Sequence, residues 1–259
     1  MVRMLLFIFL FISIDGLMKI NVIVSCLVFL MWWSSCDDRD VVSVTRVGEL
    51  EELVRNGDLT THARLKNYEH DPYLFGLGIV TNNEGYITIL GGKPYTSSVD
   101  SNKNVRVDSS YDAEATLFLY SRVISWKPYD IPPEVTTWKQ LEQFISNTAT
   151  KYNVSKTDAF CFQLKGTAAE LSWQVLNWRP NIKEITYKKL LSLGATGTLT
   201  NEPVEAIGFY SKDPKEIFVH QESVLNIHFV NHNHSLAGRI DDLKLDGRMK
   251  LYLPEQSPK

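Results

Sequence analysis

Residues 75–96, FGLGIVTNNEGYITILGGKPYT, set two β-rich runs on either side of Asn82-Asn83-Glu84-Gly85. That punctuation is turn chemistry between strands, and the segment predicts an antiparallel hairpin. Further along, ATLFLYSRVISW at 115–126 is a continuous apolar run with β-branched and aromatic residues, which predicts one strand covered on both faces. AFCFQLKG at 159–166 predicts a strand with Phe160, Phe162 and Leu164 on one face, and further strands are expected at 205–211, 224–230 and 248–253.

Two segments carry the helical period instead. Residues 46–57, RVGELEELVRNG, put Val47, Leu50, Leu53 and Val54 at helical spacing and stop on Gly57. Thr137 with Gln140 three residues on is an N-terminal capping signature, and Trp138, Leu141, Ile145 and Tyr152 follow as an apolar stripe that Phe144 widens. YDIPPEV, with two prolines, separates this helix from the strands before it. The mixture predicts an α/β or α+β protein with mixed and antiparallel sheets, in two halves, 37–134 and 135–259, that meet near Asp130–Glu134.

The first 35 residues have a different character. LLFIFLFISI and INVIVSCLVFLMWW, parted by Asp15, Gly16 and Lys19, form a targeting segment, and Met18-Lys19 offers a second start. The apolar run stops at Ser34-Ser35-Cys36-Asp37-Asp38, which is similar to a bacterial lipoprotein cleavage site, with residues 1–36 as signal and Cys36 lipidated. The alternative is an uncleaved anchor helix with Trp32 and Trp33 at the membrane interface. Both readings place the remaining domain outside the cytoplasm, in the cell envelope. Cys26, Cys36 and Cys161 are too far apart for a CxxC site and too few for a disulfide framework, so Cys161 is expected to be a small buried hydrophobe. A formal charge of -3 and no run of Lys or Arg argue against nucleic acid as a partner.

Taken in order, these pieces resemble the acetolactate decarboxylase family over nearly all of residues 46–256. GELEELVRNGD resembles the family's N-terminal helix, and FGLGIVTNNEGYITILGGKPY its hairpin. TWKQLEQFI followed by AFCFQLKGT is similar to the helix and strand that lead to a DG turn. GTL at 197–199, IGFYS at 207–211 and NIHF…AGRIDDLKL at 226–245 resemble the GTL, VGF and HxHF…GGH…D segments. The resemblance implies a two-domain enzyme, usually dimeric, that removes carbon dioxide from 2-acetolactate to give acetoin. It also implies a zinc ion held by three histidines, acting as the Lewis acid that stabilises an enediolate.

The chain departs from that pattern at the positions that would carry the chemistry. Asn226 stands for the first ligand, His228 keeps the second and Arg239 stands for the third. Tyr86 replaces a hairpin glutamate, Gln174 an arginine after the turn, and Glu255 is the candidate for a terminal acid. One imidazole beside a guanidinium predicts no bound zinc and a site reduced to holding a partner or a small polar molecule; Arg239 hints at an anionic one. His228, His232 and His234 would share one face if their strand ran on, giving a relocated metal site and an active lyase; the rival reading makes 231–234 a polar turn. Asp241 and Asp242 alternate faces on a strand and so do not pair as acids. The aromatics Trp126, Tyr129, Trp138 and Phe144, and Trp173 and Trp178 around Gln174, read as core.

Overall fold

The structure, a computed structural model, describes residues 42–154, 159–177, 192–217 and 223–255. The targeting segment, with Cys26, Cys36, Trp32 and Trp33, lies outside the described residues, as does Trp178. No helix among the described residues is long and apolar enough to cross a membrane.

Residues up to Arg122 build a seven-stranded antiparallel sheet from β1 (Thr45–Val47), β2 (Ala63–Arg64), β3 (Leu74–Val80), β4 (Tyr86–Leu90), β5 (Lys93–Val99), β6 (Val105–Asp108) and β7 (Glu114–Arg122). Its order is β1-β7-β3-β4-β5-β6, with β2 also on β7. The expected reversal is made by Asn82 and Asn83, at φ 62° and 55°. At Gly85, φ 146°, any Cβ would lie 1.8 Å from the Ser97 carbonyl oxygen, so only glycine fits. A second reversal, not expected from the sequence, follows at once: Gly91 and Gly92 both take positive φ between the paired Leu90 and Lys93. That is the primed two-residue turn whose twist matches its strands, so the hairpin is part of a meander.

The strand expected at 115–126 is not continuous. Ala115 to Leu119 are buried on both faces as predicted, but the chain leaves the first sheet at Arg122 and enters the second at β8 (Trp126–Asp130). The second sheet adds β9 (Phe160–Val175), β10 (Ala195–Tyr210), β11 (Leu225–Asn231), β12 (Ala237–Lys244) and β13 (Met249–Pro254), in the order β10-β11-β12-β9-β13-β8. Because β10 also pairs with β9 along its whole length, β9-β10-β11-β12 closes on itself. β9 and β10 are each 16 residues, about twice the lengths expected, and the sequence set no bounds for β12. No DG turn interrupts β9: the chain passes through Gly166 at φ 138° and continues to Val175. Both sheets belong to one unit, Asp40–Lys259.

Helix α1 (Leu50–Asn56) starts later than predicted, since Val47 is taken by β1, and ends on Gly57 at φ 65° as predicted. Helix α2 (Trp138–Lys151) opens with the predicted reciprocal cap: the Gln140 N–H donates to Thr137 Oγ1, and the Thr137 N–H to Gln140 Oε1. Its Leu141 and Ile145, fully buried, pack on Leu164, Phe229 and Ile240 of the second sheet, worth roughly 2–3 kcal/mol each. Trp138, Phe144 and Trp173 flank this core, as the sequence suggested. A second core, with Phe75, Leu77, Leu119, Ile207, Phe209 and Cys161, lies where the two sheets meet, and burial pushes the Cys161 thiol up to about 12.

Every strand pairing among the described residues is antiparallel, so the α/β expectation is corrected to a largely antiparallel architecture with few helices. Only β8-α2-β9 resembles a crossover unit. Its two strands run parallel with β13 inserted between them, because two antiparallel steps compose to a parallel one.

Candidate functional site

Strand register aligns the candidate positions. Gln174 pairs with Arg239, Arg239 with His228, and His228 with Ile207, so three neighbouring strands present them in one row. Tyr86 reaches that row from β4, its ring edge-on to His228 at 4.8 Å between centroids. Tyr86, Gln174 and His228 are buried, and Arg239 is half-buried.

The His228 Nδ1 lies 2.9 Å from the Ile87 carbonyl oxygen of β4. A carbonyl only accepts, so Nδ1 carries the proton and Nε2 the lone pair. Burial pushes the imidazole down to about 3, with the Arg239 charge acting in the same direction and the Ile87 carbonyl opposing it. His228 is therefore a neutral ring that bridges the two sheets. A metal-ligating histidine likewise has one ring nitrogen fixed by a carbonyl.

The remaining positions do not complete such a centre. Asn226, two residues earlier on β11, donates from Nδ2 to the Ile217 carbonyl at 2.8 Å, tying the strand to the 3-10 turn Pro214–Ile217. Its Oδ1 is buried with no hydrogen-bond partner among the described residues. The Gln174 Nε2 donates to Asp241 Oδ1 at 2.6 Å. A bulge in β12 falls at Asp241, between Ile240 and Asp242, so the simple alternation expected for Asp241 and Asp242 does not hold. Glu255 stands apart from the row: its carboxylate accepts from Ser125 Oγ at 2.8 Å, beside the start of β8.

His228, His232 and His234 do not share one strand face. β11 ends at Asn231, the His234 N–H donates to the Asn231 carbonyl at 3.0 Å, and His234 takes φ 57°. His232 and His234 are exposed on this turn, away from the buried face of His228. Asn and Ser favour reversal here because their short polar side chains bond the local backbone, as the Asn231 Oδ1 does to the Leu236 N–H at 2.9 Å. Among the described residues no three His, Cys, Asp or Glu side chains gather closely enough to hold a metal ion. The donor set that His228, Asn226 and Arg239 offer is one imidazole, an amide already committed and a guanidinium, which does not fit zinc.

Comparison with solved structures bears on the fold. A protein similar to alpha-acetolactate decarboxylase from Staphylococcus aureus matches with TM-score 0.63 and 14% identity, over 83% of this chain and 85% of that one. The fold is that of acetolactate decarboxylase. The Bacillus subtilis strain 168 enzyme matches with TM-score 0.63 and 13% identity over 83% and 86% of the two chains. The enzyme from Bacillus subtilis subspecies spizizenii gives 0.63 and 13% over 82% and 86%. No protein-family model and no curated protein sequence matches the chain.

Several contributors to the site had no sequence signal. The Ile87 carbonyl and Asp241 reach their partners from 141 and 67 residues away along the chain. Tyr95, Lys165 and Glu205 line a cavity beside the row that no motif marks.

Proposed function

We propose that the chain is an acetolactate decarboxylase-like protein of the cell envelope that has lost the metal-dependent reaction and uses the inherited fold to bind a small polar molecule. The observation that carries this reading is the row itself. Arg239 stands cross-strand from His228, and the Asn226 amide is spent on the Ile217 carbonyl. Decarboxylation of a 2-hydroxy-3-oxo acid leaves an enediolate, which needs an electrophile close by. A guanidinium in place of a ligand repels that electrophile, and a single imidazole cannot replace the other two.

The apolar N-terminus ending at Ser34-Ser35-Cys36 supports attachment to a membrane through lipid or an anchor. The test is a pair of measurements on purified full-length protein, metal content and acetoin release from 2-acetolactate. The reading expects zinc below about one-tenth stoichiometry, by the donor count above, and no acetoin over a blank. Stoichiometric zinc together with acetoin release would refute it.

A further inference from the structure

Beside the His228 row, where β4 and β5 meet the β11–β12 turn, lies an open cavity of about 350 Å³. Leu90 and Tyr95 of the first sheet and Val230 of the second put an apolar patch into a lining that is otherwise largely polar. The β11–β12 turn forms one wall, with the His234 ring tilted against Tyr95 at 5.1 Å. Another wall is a cross-strand pair of opposite charges, Lys165 on β9 and Glu205 on β10, 3.3 Å apart.

Those two charges select the ligand. An anion drawn to Lys165 meets the Glu205 carboxylate at nearly the same range, and a cation drawn to Glu205 meets the ammonium, so the attractions largely cancel. A molecule carrying both charges can align against the pair and gain from each. The pair itself is exposed, at 37% and 56%, and so contributes little to holding the fold. The Lys165 ammonium also lies 5.7 Å from the centre of the Tyr252 ring, which steadies it at the wall. A volume of about 350 Å³ suits a small ligand, and the Leu90–Tyr95 patch beside the charged pair accommodates a short apolar body attached to the charged end.

We infer that this cavity binds a free α-amino acid with an apolar side chain, its carboxylate on Lys165, its ammonium on Glu205 and its side chain against Tyr95 and Leu90. The inference rests on the reading of the chain as a small-molecule binder. It fails separately, because metal content and acetoin release test that reading and neither enters the titration that tests this one.

The experiment is isothermal titration of the full-length protein with phenylalanine and leucine, then with 3-phenylpropionate and phenethylamine, which each keep one charge. Phenylalanine is expected to bind saturably with Kd of about 1 mM or tighter. Both single-charge analogues, and phenylalanine on Lys165→Gln or Glu205→Gln, are expected to bind roughly tenfold or more weakly, as for loss of a charge-assisted hydrogen bond. A thermal melt of each variant that stays at the wild-type midpoint assigns the loss to binding and not to folding. Binding of 3-phenylpropionate as tight as phenylalanine, unchanged affinity in Glu205→Gln, or no heat from any amino acid at about 10 mM would each overturn the inference.

Discussion

Acidifying the protein from pH 7.5 to 5.5 should destabilise it through His228, the one buried histidine among the described residues. The ring is neutral and buried in the fold, pushed down to about 3, whereas in the unfolded chain it titrates near 6.5. A depressed folded value means the unfolded state binds the proton first. Stability is therefore full above about pH 6.5 and is lost as pH falls toward the folded value. The linkage gives about 1.4 kcal/mol lost between pH 7.5 and 5.5, and about 2.7 kcal/mol by pH 4.5. For a domain of this size the first step lowers Tm by roughly 3–5 °C. The other described histidines, His62, His70, His232 and His234, are exposed. Carboxylates held low, such as Asp58 at about 2 with its Thr60 hydrogen bonds, titrate in the unfolded chain below this window. The assay is urea denaturation at each pH, on wild type and on His228→Asn, which keeps a donor for the Ile87 carbonyl but has no titrating proton. The variant should be less stable at pH 7.5 by about 1–3 kcal/mol and flat between pH 7.5 and 5.5. Equal slopes in the two proteins would refute the argument.

Three further outcomes are expected. Thr137→Ala removes the oxygen that accepts from the Gln140 N–H and should cost about 1 kcal/mol in denaturant unfolding. Ile145→Ala empties a fully buried site under the second sheet and should cost about 2–5 kcal/mol by the same assay. Gly85→Ala forces a Cβ against the Ser97 carbonyl at a φ that L side chains avoid, and should cost on the order of 3 kcal/mol or more, read as a fall in Tm.

What the sequence made legible was local. The Thr137–Gln140 cap, the Gly57 stop and the Asn82–Gly85 reversal each depend on residues within a turn of one another, and each is present. The departure from a sheet at Val123 left no mark, because the apolar run continues across it into Trp126 while the pairing partner changes from β3 to β13. β12 was not delimited from the sequence because its outward residues, Asp241, Asp242 and Lys244, interrupt the apolar pattern that β9 and β11 complete around it. The family resemblance located the row of Gln174, Arg239 and His228, which the register brings together. It did not foresee the bulge at Asp241, the carbonyl under His228 or the separation of Glu255, since those follow from how two sheets meet.

In the function proposed above, Asn226 and Arg239 exclude a metal from a frame in which His228 is held by the Ile87 carbonyl. Zinc titration of the wild-type protein beside the double variant Asn226→His with Arg239→His tests it directly. His228 keeps its Nδ1 on the Ile87 carbonyl, and the two new rings would stand two residues before it and cross-strand from it. The account predicts no saturable zinc binding by wild type and one ion per chain in the double variant, about a hundredfold tighter or more. Tight stoichiometric zinc on the wild-type protein, unaffected by either substitution, would contradict it.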